Sequence, residues 1–554
     1  MARGIARLLE ERATRRPRFS GYWTSAVPSH AHELESYQVG NAQVRLFALE
    51  GGQRHLYHVT PWEHGLPDEW VQLVDRVIAQ VRELPPSDLE AGYDELRGHV
   101  MRTAARLVRA GAQDPALGGS IDERERSVVR LAEVVARHTV GMGLFEVLLS
   151  DDRIEDVYVD APSWENPVHV TVGGVAGFSG VCRCGTNITV SGEEIDALVA
   201  RLRQYTMRPF SEAFPVLETD LPGYDTRATV IGPPLSPAGA ALALRRHSRR
   251  PWTLLRLAAA GSLDAYAAGL LSFLVDGRAT VLICGARGAG KSSLLSAVMF
   301  EFPLSQRILA IEDTLELPVR QMQRLGYRIQ SLYVDRGMDR SAEDGADDAL
   351  RVSLRLGESA IVLGEVRGRE AQTLYQSMRT GRAGSSVLGT IHGESARSVY
   401  ERVVHDMGIA KEAFMATDVV VTMGLSRPGG ASRPVRRLVE VAETSRVRGP
   451  GEFNPLLGPD GRLQGPSETI ARIAESWGLS YEEALDNIEA RAGIREVLLV
   501  MAAQGRRECL EPEWVCRCNE FLWQRMDEGP IDSRSVVEDF RRYVQGRVGV
   551  HVTE

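Results

Sequence analysis

Residues Gly285 to Ser292, with the sequence GARGAGKS, have the types and spacing that a phosphate-binding loop requires. Glycines let successive backbone N–H groups turn inward around an anion, and the start of a following helix adds partial positive charge. Lys291 is expected to reach the β- and γ-phosphates of ATP, and the Ser292 hydroxyl to ligate Mg²⁺. The predicted nucleotide-binding residues are Gly285, Ala286, Arg287, Gly288, Ala289, Gly290, Lys291, Ser292 and Ser293.

Lysine is rare in this chain, and this singles out Lys291. Of the 65 lysine and arginine residues, only Lys291 and Lys411 are lysines. A planar guanidinium does not replace a compact ammonium inside a tight loop. The alternative, a chance glycine turn before a helix, gives no reason for one of the two lysines to stand here.

Carboxylates follow a second apolar run, RILAIEDTLELP at residues 307–318. The pattern predicts a strand that ends at Ile311, so that Glu312, Asp313 and Glu316 come at its carboxyl end. Ligands of open α/β sheets bind at that edge, and carboxylates there suit a magnesium shell or the positioning of a water molecule. An ordinary acidic junction between a strand and a turn remains the alternative.

A third apolar run leads into Glu365 in the segment SAIVLGEVRGREA, residues 359–371. Glu365 is a candidate to orient and deprotonate an attacking water, or to hold Mg²⁺ through water. Arg367 is a candidate to contact the nucleotide charge or a neighbouring subunit. The predicted magnesium ligands are Ser292, Asp313 and Glu365.

A fourth run, SSVLGTIHGESA at residues 385–396, brings His392 to a glycine-flanked loop directly after a strand. An isolated histidine is often structural, but a histidine on a loop at this sheet edge favours a functional role. We therefore predict that His392 belongs to the same site.

The elements that must position these residues alternate between strand and helix from about 253 to 445, which predicts a parallel sheet covered on both faces. Before this region, short strands and helices predict a mixed α+β segment. The predicted strands of the core are 279–284, 307–312, 327–333, 360–365, 386–391, 417–422 and 436–442.

Composition narrows the class of protein. A chain of 554 residues is too long for one core, and a net charge of −9 argues against binding nucleic acid by bulk charge. We find neither a signal peptide nor an apolar stretch of about 18 residues, so we expect a soluble cytoplasmic protein. The C-R-C triplets at Cys182–Cys184 and Cys516–Cys518 leave a zinc site open as an alternative to reduced thiols.

In order and spacing, the phosphate loop, IEDTLELP, GEVRGREA and GTIHGES resemble the four motifs of the secretion ATPase superfamily. That superfamily contains the motors of type II secretion, type IV pili and archaella. YHVTP (57–61), residues 143–196 and ALRRHSRRPWTL (243–254) resemble its archaeal type IV pilus and archaellum branch. The likeness covers about residues 45 to 550.

This resemblance implies an α/β fold whose RecA-like P-loop core follows a mixed α+β N-terminal half. The implied domains are an accessory N-terminal domain (1–112), the α+β half of the ATPase (113–245), a hinge linker (246–252), the RecA-like ATPase domain (253–450) and a helical C-terminal domain (451–554).

The resemblance also implies the function: a cytoplasmic hexameric ATPase, peripheral at the inner face of the membrane, with ATP and Mg²⁺ as cofactors. It would power filament assembly or secretion through a polytopic membrane platform protein, and no nucleic acid partner is expected. Arg227 and Arg245 match arginines of the N-terminal half that reach the triphosphate in related motors. The implied catalytic residues are Glu365, Glu312, His392, Arg227, Arg245 and Arg367.

Two positions depart from the family pattern. Relatives carry Pro-Asp before the third motif, where this chain has Glu358-Ser359, and the letters IHGES differ from those of other branches. Neither change removes a predicted site residue, so we expect an active motor. The rival functions are a conjugation-type or DNA-moving motor, which needs a basic, aromatic-bearing channel, and a non-enzymatic regulator, which would usually lack the Glu365 carboxylate.

Overall fold

The computed structural model forms two compact units, Met1–Arg249 and Arg250–Glu554, which meet in sequence inside the predicted linker 246–252. The domain boundaries themselves stay predictions. The described residues are 19–49, 54–83, 93–111, 120–175, 181–206, 208–221, 223–246, 250–334, 342–357, 359–368, 370–379, 386–430, 434–458 and 460–547.

The first unit combines strands with five described helices. Its strands are β1 (Tyr22–Thr24), β2 (His32–Val39), β3 (Ala42–Ala48), β4 (His55–Pro61), β5 (Ile154–Val159), β6 (His169–Gly173), β7 (Val181–Thr186), β8 (Ile188–Val190), β9 (Val216–Leu221), β10 (Thr226–Ile231) and β11 (Ala241–Arg246). Its helices are α1 (Asp68–Glu83), α2 (Tyr93–Gly111), α3 (Ile121–Thr139), α4 (Leu144–Ser150) and α5 (Gly192–Thr206).

One nine-stranded sheet organises this unit, in the order β2-β3-β4-β7-β6-β5-β11-β10-β9. The parallel pairing of β4 with β7 joins strands from the predicted accessory domain (1–112) and from the predicted α+β half (113–245). Those two predicted domains therefore contribute to a single sheet. Helix α3 begins at a reciprocal capping box formed by Ser120 and Glu123.

The second unit contains the predicted motor core and the helical tail. Its strands are β12 (Val281–Gly285), β13 (Arg307–Glu312), β14 (Arg328–Tyr333), β15 (Ala360–Val366), β16 (Val387–His392), β17 (Val419–Ser426), β18 (Val435–Thr444) and β19 (Phe453–Pro455). Its helices are α6 (Leu254–Ala259), α7 (Ala265–Asp276), α8 (Lys291–Met299), α9 (Val319–Arg324), α10 (Ala342–Ser353), α11 (Glu370–Arg379), α12 (Ala396–Glu401), α13 (Lys411–Phe414), α14 (Glu468–Trp477), α15 (Tyr481–Ala503), α16 (Pro512–Asp527) and α17 (Ser533–Arg547).

An eight-stranded sheet in the order β14-β13-β15-β16-β12-β17-β18-β19 forms the middle of this unit. Strands β12 to β17 run parallel to their neighbours in the sheet, whereas β18 returns antiparallel to β17. All five residues of β12 are buried, as expected for a central parallel strand covered by helices on both faces. The seven strands predicted for this core are all present.

The helical tail shares one apolar core with helix α8 of the phosphate loop. Buried ionic groups reinforce this packing: Arg495 of α15 pairs with Glu301, which directly follows α8. Ser272 of α7 and Asn519 of α16 also donate hydrogen bonds to Glu301, at 2.8 and 3.1 Å. None of the described helices is long and apolar enough to span a membrane.

Candidate nucleotide-binding site

The phosphate loop links β12 to α8, as its sequence predicts. Gly285 ends β12 where the chain leaves no room for a side chain, since a Cβ there would lie 2.4 Å from the carbonyl oxygen of Met423. Gly290 caps α8 with φ +97°, a conformation that favours glycine. Lys291, Ser292 and Ser293 then form the first turn of α8, where backbone N–H groups face a potential anion.

Lys291 bends back over its own loop. Its ammonium nitrogen donates hydrogen bonds to the carbonyl oxygens of Gly285 and Ala286, at 3.0 and 3.2 Å. It also lies 3.4 Å from Nδ1 of His392, at the end of β16. Partial burial lowers the pKa of Lys291, which is the expected effect of desolvating an ammonium.

His392 connects Lys291 to Glu365 at the end of β15. Its Nε2 lies 2.9 Å from Oε1 of Glu365. An ammonium has no acceptor, so Nδ1 of His392 accepts from Lys291 and the proton is on Nε2. This nitrogen lies close to Oε1 of Glu365 without the alignment of a hydrogen bond. Desolvation lowers the pKa of His392, which favours this neutral tautomer near neutral pH.

Arg367 joins two of the predicted carboxylates. Its guanidinium pairs with Glu365 and, through the other terminal nitrogen, with Asp313 at 2.9 Å. The buried carboxylate of Glu370 holds the backbone beneath it, accepting from the N–H groups of Arg367 and Gly368. Arg367 therefore occupies the space between Glu365 and Asp313 as the counter-charge of both.

Glu312 is buried at the end of β13, apart from the Glu365 cluster in its contacts. Its Oε1 accepts hydrogen bonds from the backbone N–H groups of Glu316 and Leu317, both at 2.8 Å, while its Oε2 is buried without a partner. Burial raises its pKa from 4.5 to about 7. Its observed contacts shape the turn after β13, and a catalytic role for Glu312 remains a prediction.

These residues fit a nucleotide with Mg²⁺. The glycine turn has no room for a Cβ at Gly285, which lies against the carbonyl oxygen of Met423, and Asp313 and Glu365 already share one cation, the Arg367 guanidinium. Within the described ranges, no group of three or more His, Cys, Asp and Glu side chains forms a metal site, so the zinc alternative finds no support there. The predicted magnesium set is a different kind of site, with two carboxylates and a hydroxyl.

Sequence analysis missed Arg436 of β18. Its Nε donates a hydrogen bond of 2.8 Å to the carbonyl oxygen of Gly288 in the phosphate loop. No motif marks this contact, because it depends on how β18 pairs with β17. The available signal was the pair Arg436-Arg437, which follows the predicted strand 417–422. Arginines are so common in this chain that such a pair does not indicate a site.

Arg227 and Arg245 lie in the first unit, opposite each other on β10 and β11. Asp220 of β9 and Asp156 of β5 flank this pair in register, and Arg227 lies 3.1 Å from Glu218. Their predicted contact with a nucleotide is not tested by these positions.

Comparison with known proteins gives the same family as the motifs. Residues 218–446 match the family described as Type II/IV secretion system protein. The match includes the phosphate loop and all three later motifs, together with Arg227 and Arg245.

The individual relatives match this chain at low sequence identity. An uncharacterized protein of Methanocaldococcus jannaschii is 32% identical over 256 residues, which cover 44% of this chain and only 33% of that protein. A Mycobacterium tuberculosis protein, provisionally named as a conjugal transfer protein, is 28% identical over 59% of this chain and 90% of its own length. The solved Legionella pneumophila ATPase DotB is 16% identical with a TM-score of 0.40, over 55% of this chain and 80% of its own.

Proposed function

We propose that this chain, whose residues 218–446 match the family described as Type II/IV secretion system protein, is a magnesium-dependent ATPase. One observation carries the proposal. Lys291, His392 and Glu365, from three separate elements, are in contact at the carboxyl ends of the parallel strands β12, β15 and β16. That edge is where open α/β sheets bind their ligands, and the phosphate loop opens onto it.

The chain's own groups have distinct tasks in this proposal. Lys291 exchanges its two loop carbonyl partners for phosphate oxygens, and the N–H groups at the start of α8 bind the same anion. Ser292, Asp313 and Glu365 would hold Mg²⁺, which supplies charge neutralisation at the phosphates.

Glu365 is the candidate to orient and deprotonate the attacking water. In the conformation described here its carboxylate is paired with Arg367 and faces His392. Arg367 must therefore leave Glu365 before that carboxylate accepts a proton. This makes Arg367 a residue that separates a resting from an active arrangement.

The chain offers a matched control for the test of this function. Lys291→Ala is expected to abolish ATP hydrolysis, whereas Lys411→Ala removes the only other lysine, which is exposed on α13, and should leave hydrolysis unchanged. Phosphate release from the purified full chain with ATP and Mg²⁺ measures both. Equal release from wild type and Lys291→Ala would overturn the ATPase assignment.

We further propose that the ATPase works as a cytoplasmic homo-hexamer, at the inner face of the membrane, on a polytopic platform protein. It would drive assembly of a type IV pilus-like or archaellum-like filament, or type II-like secretion. The resemblance of the four motifs supports this step.

A conjugation-type motor is the second candidate, and the Mycobacterium relative with its provisional conjugal name favours it. Single-stranded DNA separates the two. A DNA-moving motor should be stimulated by it, whereas a filament or secretion motor should hydrolyse ATP at the same rate with and without it.

A further inference from the structure

Strand β18 places the side chain of Arg436 against the phosphate loop. Strand β18 runs antiparallel to β17, so that Arg436 lies opposite Leu425. Leu425 follows Met423 in β17, and the carbonyl oxygen of Met423 lies against Gly285 of the phosphate loop. The Nε of Arg436 donates to the carbonyl oxygen of Gly288 at 2.8 Å. Its Cδ lies 3.5 Å from the position that a Cβ on Gly290 would take, so its aliphatic part crosses the loop.

The contact fixes one peptide unit of the loop from both ends. The carbonyl of Gly288 accepts from Arg436, and the N–H of the same peptide unit, on Ala289, donates to the carbonyl oxygen of Ala286 at 3.1 Å. Successive loop peptides present the N–H groups that cradle an anion. Arg436 therefore acts on the orientation of the cradle itself.

Most N–H groups of the Arg436 guanidinium remain available to bind a ligand. The side chain of Arg436 is exposed, and its bond to Gly288 is the single hydrogen bond or ion pair that this side chain makes with the described residues. Arg367, by contrast, is neutralised by two carboxylates. Both terminal nitrogens of Arg436 thus keep their N–H donors next to an anion site, and guanidinium forks bind phosphate oxygens bidentately.

We propose that Arg436 binds the phosphate chain of the nucleoside triphosphate with its terminal nitrogens while its Nε holds the Gly288 peptide. It is a nucleotide-binding residue supplied from the antiparallel end of the sheet, outside the four motifs. This inference rests on the proposed ATPase function and adds a binding residue to that site.

The matched control is its neighbour Arg437. Alternation along a strand directs consecutive side chains to opposite faces, and both arginines are exposed. Arg436→Gln is expected to weaken binding of a non-hydrolysable ATP analogue about ten-fold, the usual effect of losing a charged hydrogen bond. Arg437→Gln should bind like wild type, and Arg436→Lys, which keeps the charge, should regain part of the loss.

The measurement is calorimetric titration of the full chain at low and high salt. The difference between wild type and Arg436→Gln should shrink at high salt, because screening weakens an exposed charge contact. A merely structural Arg436 would instead lower the apo melting temperature, with no rescue by lysine.

The outcomes separate this inference from the function on which it rests. Wild-type affinity in Arg436→Gln, or equal losses in Arg436→Gln and Arg437→Gln, would overturn the role of Arg436 and leave the ATPase standing. A wild-type chain that binds no nucleotide would refute both.

Discussion

Glu312 should make the stability of the second unit depend on pH. Its carboxyl group is buried, with a pKa of about 7 in the folded chain against 4.5 for an exposed glutamate. Each pKa unit corresponds to about 1.4 kcal/mol, so ionising Glu312 in the folded protein costs about 3 kcal/mol more than in the unfolded chain.

The sign follows from proton binding. Between pH 4.5 and about 7 the folded state keeps a proton that the unfolded state has lost, so the free energy of unfolding falls as pH rises through this window. Below the window both states are protonated and above it both are ionised, so the contribution is constant there. Glu312→Gln removes the titrating group and should remove the dependence.

Two assays on the full chain test this. The melting temperature of wild type should decrease relative to that of Glu312→Gln as pH rises from about 4 to about 8. The infrared difference spectrum between the two proteins should show a protonated carboxyl band that disappears around pH 7. Glu475→Gln, which changes an exposed carboxylate on α14, is the control.

A constant difference between wild type and Glu312→Gln across this pH range would refute the reasoning. Glu312 would then be ionised in the folded protein at neutral pH. It would be available as a magnesium ligand or base.

Four further predictions concern the site, the assembly and the tail. Glu365→Gln should retain ATP binding but stop turnover, because it keeps the shape and removes the base; lost affinity with normal turnover per bound ATP would contradict this. Arg227→Gln and Arg245→Gln should each lower turnover with Lys291 intact, and wild-type rates in both would exclude them from the reaction. Light scattering with a non-hydrolysable ATP analogue should give a mass near six subunits, with activity that rises more than linearly with protein concentration; a fully active monomer would refute the ring. Arg495→Leu should destabilise the second unit by about 3–5 kcal/mol, because it leaves Glu301 buried and unpaired, while Arg541→Leu, from an exposed pair with Glu538, should cost less than about 1 kcal/mol.

The sequence was most informative where a motif coincides with the end of a strand. Parallel strands place their carboxyl ends at one edge, so the order of the motifs was enough to bring His392 and Glu365 to Lys291. The seven core strands could be predicted equally well, because each is a short, mostly apolar and β-branched run bounded by turn residues.

The missing parts depend on pairings between distant segments. The parallel ladder of β4 with β7 cannot be read from either segment, so neither segment alone predicts that strands before and after residue 112 share one sheet. The partnerless oxygen of Glu312 is likewise a property of its surroundings, and a carboxylate after a strand looks the same whether buried or exposed. Arg436 required the register of β18 on β17.

The buried bond network around Glu301 limits how this protein can be recombined with relatives. Hydrogen bonds from Ser272, Arg495 and Asn519 converge on a single carboxylate, so segments far apart in sequence carry mutually dependent side chains. A chimera that exchanges the tail but keeps the phosphate-loop helix would leave the Glu301 carboxylate without its arginine partner in an apolar interior. The four helices α7, α8, α15 and α16 therefore have to be exchanged together, although they are far apart in the sequence.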